Sequence, residues 1–304
     1  DGINDMPGLT IPVKYWEIMN EPSMQGGVTG GMGEELKFFV GTSSEYLEIL
    51  QTSYEVIKET DPTANVVQGG QAGMHTGFQE FWRPVLENGG GDYFDIANIH
   101  SISTNSRTED LFVRKFHDFL AEYGIEDKPI WITEVQFGRL AEPPEDLEEF
   151  EILMAKSTVF SLAQGADKLF YIENWTFWNG FNEEMKIEGM RPDFEEVKSS
   201  TTHKVYLNLV DKLNQFDEII VLEEEFTESS DNGEGSHSIV GHYKFIKNNT
   251  DSSQSVVYAL WGGDQIPTEI TGSITVTDIY GESSVMETVE LVLGEVPVFV
   301  EIKD

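Results

Sequence analysis

The stretch YWEIMNEP, residues 15–22, is an apolar segment that ends in an amide and a carboxylate. Taken alone, Asn-Glu-Pro is ordinary chemistry for a turn or for the start of a helix. The alternative is a buried strand that presents Asn20 and Glu21 at its carboxyl end, where parallel α/β barrels place their active-site residues. The segments that follow in the chain favour the second interpretation.

Short apolar runs alternate with longer segments of helical period from residue 11 to residue 216. The predicted strands, which are apolar on both faces, cover residues 13–20, 64–70, 94–102, 128–135 and 167–178. The predicted helices, one after each strand, cover residues 43–60, 77–89, 109–124, 145–165 and 201–216. Strands that alternate with helices over short connections predict βαβ units and a parallel sheet covered by helices.

The pattern changes after residue 217, where short β-rich runs are separated by Gly, Asn, Asp and Ser. This spacing is typical of an antiparallel β-sandwich. The sequence therefore predicts two domains, an α/β domain over residues 1–216 and an all-β domain over residues 217–304.

Polar side chains gather at the carboxyl ends of the predicted strands. In strand order they are Asn20 and Glu21, then Gln68, then Asn98 and His100, then Glu134, then Trp175. Two glutamates on separate strands suit the cleavage of a glycosidic bond, in which one carboxylic acid protonates the leaving oxygen while the other attacks carbon or activates water. The neighbouring amides, imidazole and indole are candidate sugar contacts.

Two motifs of the sequence resemble those of clan A of the glycoside hydrolases, and within that clan the resemblance is nearest to families 39 and 5. The resemblance lies in WEIMNEP (16–22) and KPIWITEVQFG (128–138), with a His-bearing strand between them and a Trp-bearing strand after them. It implies a TIM (β/α)8-type barrel, with Glu21 as acid/base on the fourth strand and Glu134 as nucleophile on the seventh. It also implies substrate contacts, and the candidates for these are Asn20, His100, Trp175, Gln68 and Asn98.

The same resemblance exposes a departure from the family pattern. If Glu21 ends the fourth strand, the first three barrel strands have no counterpart here, and a complete barrel needs about 250 residues. Five βα units would leave two open sheet edges, which native proteins rarely tolerate. We therefore expect the missing strands either upstream or on another chain. Glu17, on the same strand as Glu21, is expected to be a buried, paired carboxylate inside the barrel.

The composition of the chain indicates which classes of binding partner to expect. The chain of 304 residues has 19 Lys and Arg against 55 Asp and Glu, a formal net charge of −36, which disfavours nucleic acid and anionic membranes. Cysteine is absent, which excludes disulfides and thiolate sites, and no histidine spacing predicts a metal. We expect a neutral oligo- or polysaccharide as substrate and no metal or cofactor. An extracellular or cell-surface location is expected, with a cytoplasmic one left open.

These observations lead to one hypothesis and one rival. The hypothesis is a retaining glycosidase that acts on a neutral β-linked saccharide by double displacement. Retention requires the two carboxyl groups to lie about 5–5.5 Å apart, whereas inversion requires roughly 6.5–9.5 Å. The rival is a catalytically inactive carbohydrate-binding or cell-surface structural protein that has kept the same fold.

Overall fold

A computed structural model describes residues 11–27, 35–105, 107–137, 146–172, 200–228 and 235–303. The chain divides into two compact units. The first comprises residues 1–99 and 118–131, and the second comprises residues 100–117 and 132–304. The chain passes between the units within two strands, β3 (Ala97–Thr104) and β4 (Ile130–Phe137).

The first unit is built from short parallel strands and two helices. Its elements are β1 (Tyr15–Glu17), α1 (Ser43–Thr60), β2 (Asn65–Val67) and α2 (Thr76–Glu87), followed by a 3-10 turn (Gly90–Tyr93) and the starts of β3 and β4. Strands β1 and β2 pair in parallel, with Tyr15 opposite Asn65. A parallel pair joined by a helix is the arrangement that the alternating pattern predicts.

The core of the first unit lies between α1 and α2. Thr42 begins α1 with a capping box, in which its hydroxyl accepts from the Glu45 amide and the Glu45 carboxylate accepts from the Thr42 amide. One face of α1 buries Tyr46 completely, and its ring packs edge-on against Trp82 of α2 at 5.1 Å between centroids. Large buried aromatic side chains contribute most of the apolar surface that such a small core removes from water.

The second unit contains the end of β3 with residues 100–117, and the end of β4 with all residues from 132 to 304. Its helical part comprises α4 (Leu147–Ala163), β5 (Ala166–Tyr171) and α5 (Thr201–Leu213), and α3 (Val113–Ala121) begins in this unit. Strands β3, β4 and β5 are neighbours in one three-stranded sheet. The described strands up to β5 thus form sheets of two and three strands, and the closed barrel stays a prediction. Within the described ranges, no helix is both long and apolar enough to cross a bilayer.

The C-terminal part of the second unit is an antiparallel sheet of six strands in the order β10-β9-β11-β8-β7-β6. The strands are β6 (Glu218–Glu228), β7 (Ser236–Asn248), β8 (Gln254–Trp261), β9 (Ser273–Thr277), β10 (Ser283–Glu287) and β11 (Val298–Ile302). Their apolar core includes Tyr258, Leu260 and Val300. All six strands share a single sheet, so the two-layer sandwich and the domain boundary after residue 216 stay predictions.

All five predicted helices are present, and the largest deviation is at α3. A helix was expected from residue 109, but α3 begins at Val113. The residues before it, Leu111 and Phe112, have left-handed backbone angles with φ of 51° and 67°. A left-handed residue cannot continue a right-handed helix, so the first helical turn is displaced.

Candidate active site

The chain leaves strand β1 through a strained segment that carries Glu21. The Ile18 amide still donates to the Val67 carbonyl at 3.1 Å, but Met19 and Glu21 then adopt positive φ values of 70° and 41°. Left-handed backbone is unfavourable for residues with a side chain, and such residues cluster at functional sites. Glu21 is 6% exposed, so the turn delivers a carboxylate into a largely buried position.

Tyr46 fixes the carboxyl ends of both β1 and β2. Its hydroxyl donates to the Ile18 carbonyl at 3.2 Å and accepts from the Gly69 amide at 3.2 Å. Complete burial raises the pKa of this phenol, which therefore stays a neutral donor. Gly69 is required here because an added Cβ would lie 2.4 Å from the Ile18 carbonyl oxygen.

The predicted sugar contacts of the first unit differ in exposure. Gln68 and Asn98 are buried, and the side-chain Nδ2 of Asn98 donates to the backbone carbonyl of Gln68 at 3.2 Å. Asn20 is exposed. The expectation for Glu17 is wrong, because this residue is exposed and its carboxylate accepts from the Gly70 amide at 3.1 Å. Its strand has one neighbour among the described strands, β2, so its side chain is not enclosed.

The second unit brings His100 and Glu134 together. His100 lies in β3 and is completely buried, whereas the Glu134 side chain in the adjacent strand β4 is 34% exposed. The imidazole Nδ1 lies 3.6 Å from a Glu134 carboxylate oxygen, and Nε2 shares a hydrogen bond of 3.0 Å with the Thr133 hydroxyl. A rigid imidazole that is held on both nitrogens can fix the orientation of a carboxylate that solvent, or a ligand, can still reach.

The segment that follows β3 is fastened to strand β7 by two buried carboxylates. Glu109 accepts from the Ser238 amide at 2.7 Å, and Asp110 accepts from the Ser236 amide at 2.9 Å. His237 lies on the same strand, with Nδ1 3.0 Å from Glu109. Burial raises the pKa of Glu109 and raises that of Asp110 to about 6. We call this group, Glu109 and Asp110 with their β7 partners, the β7 clasp.

Two further observations complete the site. Trp175, the predicted sugar platform, lies outside the described residues. Gln136, which the sequence pattern did not single out, lies in β4 and is 1% exposed, and among the described residues neither of its side-chain polar atoms has a hydrogen-bond partner. The sequence offered one signal for it, since it lies two residues after Glu134 and strand residues two apart share a face.

The fold has solved relatives, although no protein-family model and no curated protein matches the chain. It is similar to a glucosidase from Croceicoccus marinus with a TM-score of 0.58 and 12% identity, over 96% of this chain and 69% of that one. An α-L-arabinofuranosidase from Thermotoga maritima has a TM-score of 0.56 at 12% identity, covering 95% and 66%. The family 51 α-L-arabinofuranosidase AbfB from Bifidobacterium longum gives 0.56 at 10%, covering 95% and 66%.

These three structures establish the class of fold. The chain has the α/β fold with a trailing β-sheet region that these glycoside hydrolases share, and it spans about two thirds of their length. At such identities the likeness concerns the fold, and families 39 and 5 are not singled out by it.

Proposed function

We propose that this protein is a retaining glycoside hydrolase of a neutral β-linked saccharide. The observation that carries the proposal is the contact between His100 and Glu134, in which a buried imidazole orients a partly exposed carboxylate. A nucleophilic carboxylate has to be reachable and yet held in one direction, and this pair meets both requirements. The glycosidase fold of the structural neighbours supports the same conclusion.

The two glutamates take complementary roles in this proposal. Glu134 attacks the anomeric carbon while Glu21 transfers its proton to the glycosidic oxygen, so the C–O bond breaks and the leaving alcohol departs neutral. Glu21, now a carboxylate, accepts a proton from water as that water attacks the glycosyl–Glu134 ester. The sugar is released with retained configuration, and both carboxyl groups return to their initial states.

The remaining predicted residues serve as substrate contacts in this scheme. Asn20 hydrogen-bonds a sugar hydroxyl, His100 borders the reacting sugar, Trp175 supplies the stacking platform, and Gln68 and Asn98 line the site. Neutral substrate chemistry fits the formal net charge of −36, which repels anionic saccharides at long range. No cofactor has a role in the scheme, because two carboxyl groups and water complete the proton balance.

We also propose that three further barrel strands, from upstream or from another chain, pack beside β1. Support comes from the exposure of this strand, in which Tyr15 and Trp16 are 47% and 46% exposed and β2 is the one described partner. An open apolar edge of this kind favours pairing with another strand. The greater length of the structural neighbours is consistent with additional elements.

Two alternatives remain for the experiment to decide. The first is an α-L-arabinofuranoside substrate, which is favoured by the two arabinofuranosidases among the structural neighbours. The second is the inactive carbohydrate-binding or structural protein, favoured by the open edge at β1. One assay distinguishes the proposed activity from each of these alternatives.

That assay is the turnover of 4-nitrophenyl β-xyloside, β-glucoside, β-galactoside, β-mannoside and α-L-arabinofuranoside by the full-length protein, with its upstream or partner strands present, and by three variants of it. Glu134→Gln is expected to lose at least about a thousandfold in kcat/KM on the preferred sugar, and Glu21→Gln at least about a thousandfold in kcat, because 4-nitrophenolate leaves without a proton but the attacking water still needs a base. Glu17→Gln is the matched control, since it makes the same chemical change at an exposed residue of strand β1. NMR of the released sugar reports its configuration before mutarotation.

The outcomes separate the hypotheses. Retained configuration, with both variants inactive and the control active, supports the mechanism and identifies the sugar. Preference for the arabinofuranoside would change the proposed substrate but would leave the roles proposed for Glu21 and Glu134 unchanged. No turnover in the full-length protein, with sugar binding retained by calorimetry, would sink the enzyme proposal and leave the binding-protein alternative.

A further inference from the structure

Gln136 occupies a distinctive position in strand β4. Phe137 packs against Phe150 of α4 and Tyr171 of β5, with ring centroids 6.0 Å and 5.9 Å apart, so this side chain faces the helix-covered side of the sheet. Because side chains alternate along a strand, Gln136 faces the opposite side, together with Glu134 two residues earlier. The amide therefore shares a face with the proposed nucleophile.

The amide of Gln136 is buried without satisfying its hydrogen bonds. The residue is 1% exposed, and neither Nε2 nor Oε1 has a partner within the described part of the chain. Elsewhere in this unit a buried amide is satisfied, since the Asn208 Nδ2 donates to the carbonyls of Asp278 at 2.9 Å and Ile279 at 3.3 Å. Native proteins rarely bury an unpaired donor and acceptor on one side chain, so this exception needs a partner from elsewhere.

The chemistry of the amide restricts that partner. A primary amide offers two N–H donors and a carbonyl acceptor and carries no charge. A pair of adjacent sugar hydroxyls matches it, because one hydroxyl can accept from Nε2 while the other donates to Oε1. A carboxylate or phosphate would instead be matched by Lys or Arg, which supply charge as well as donors.

We propose that Gln136 binds two neighbouring hydroxyl groups of the sugar that reacts with Glu134, and thereby selects the substrate by its hydroxyl pattern. The inference rests on the proposed glycosidase activity and adds a specificity-determining residue to it. Gln136 takes no part in proton transfer, because an amide neither gains nor loses a proton under these conditions. Its contribution is to sugar recognition and orientation at the reacting centre.

The test compares Gln136→Met with the chain, using the preferred aryl glycoside and its singly deoxygenated analogues. Methionine keeps the length of the side chain and removes both polar atoms. We expect kcat/KM on the complete sugar to fall about 10- to 100-fold, in keeping with the loss of two hydrogen bonds. The chain should reject two of the deoxy analogues by at least about tenfold, and Gln136→Met should not distinguish them.

Thermal unfolding gives a second readout that is independent of activity. An amide that waits for a ligand is not needed by the empty protein, so the melting temperature of Gln136→Met should stay the same or rise. Asn208→Leu is the control for a satisfied buried amide, and its melting temperature should fall by about 2–4 °C.

Two results would overturn the inference while leaving the glycosidase intact. One is discrimination among the deoxy analogues that is unchanged in Gln136→Met. The other is a fall in melting temperature like that of Asn208→Leu, which would show that the amide is satisfied inside the protein, for example by water. Absence of turnover in the unmodified chain is a different failure, because it would remove the proposed function itself.

Discussion

Two of the histidine–glutamate pairs in the second unit have opposite patterns of burial. In the first, the His100 imidazole is completely buried and the Glu134 side chain is 34% exposed, with 3.6 Å between them. In the second, the Glu109 side chain is 3% exposed and the His237 side chain 41%, with 3.0 Å between them. The same two residue types thus leave either the carboxylate or the imidazole open to solvent.

The difference lies in what satisfies each carboxylate. One oxygen of Glu109 accepts from the Ser238 amide and the other lies 3.0 Å from His237 Nδ1, so we interpret this buried carboxylate as a structural acceptor. Glu134 is held at one oxygen by a rigid ring and is still accessible. An accessible carboxylate beside a buried imidazole is suited to the nucleophilic role that we propose for Glu134. The comparison can be tested by changing each side of each pair.

The largest expected effect in this comparison comes from replacing each histidine by phenylalanine. His100→Phe should lower kcat on the preferred aryl glycoside about 100-fold, because Glu134 loses the group that orients it. KM should change less than kcat, since the proposed orientation of Glu134 acts on the chemical step, whereas His100 is one of several proposed sugar contacts. His237→Phe, the matched control in the other pair, should leave both constants near those of the chain. Equal losses in the two variants, measured by initial rates, would contradict the distinction.

Removing the buried carboxylate should instead reduce stability. Glu109→Ala leaves the buried Ser238 amide without its acceptor, and we expect the free energy of unfolding to fall by about 2–3 kcal/mol. Glu228→Ala removes an exposed carboxylate that lies 3.9 Å from Arg114, and it should change stability by less than about 1 kcal/mol. Urea titration followed by tryptophan fluorescence measures both. If the free energy of unfolding falls no more in Glu109→Ala than in Glu228→Ala, the β7 clasp does not stabilise the fold.

The smallest effect is a pH dependence that arises from Asp110. Burial raises its pKa from 3.8 to about 6, while the Arg114 charge and the Ser236 amide oppose the rise. Between these two pKa values the folded protein holds a proton that the unfolded chain releases, so stability rises as pH falls through about 6. From pH 8 to pH 5 this group should add about 1 kcal/mol to the free energy of unfolding.

Asp110→Asn isolates that contribution, because asparagine keeps the acceptor for the Ser236 amide and cannot titrate. The pH dependence of unfolding should therefore be weaker in the variant by about the amount assigned to Asp110. Glu109 titrates in both proteins and cancels in the difference. Parallel stability curves for the two proteins over this pH range would show that Asp110 does not carry the predicted protonation step.

Much of the fold was predictable because its signals are local. Helices α1, α2, α4 and α5 follow from apolar period and from caps that lie within a few residues, so the sequence alone locates them. The start of α3 was not predictable, since it depends on the left-handed backbone of Leu111 and Phe112. The carboxylates before them bind backbone amides of β7, more than a hundred residues later in the chain.

The candidate site was predictable to a lesser extent. The clustering of polar residues at strand ends indicated His100 and Glu134, because neighbouring strands present their carboxyl ends at one edge. The same rule missed Gln136, since the significance of this amide lies in an absence of partners that only the packed structure reveals. Glu17 was predicted as buried because the rule assumes a complete set of neighbouring strands.

The left-handed turn at Glu21 has a consequence for how this protein evolves. A residue with a side chain at φ 41° costs on the order of 1 kcal/mol, and glycine would avoid that cost. Selection for stability alone would therefore favour replacement of Glu21, and the acid/base role that we propose for its carboxylate would oppose that drift. A lineage that abandoned catalysis would be expected to acquire glycine or asparagine at this position. The proposed mechanism thus links the identity of this residue to catalysis and not to the stability of the turn.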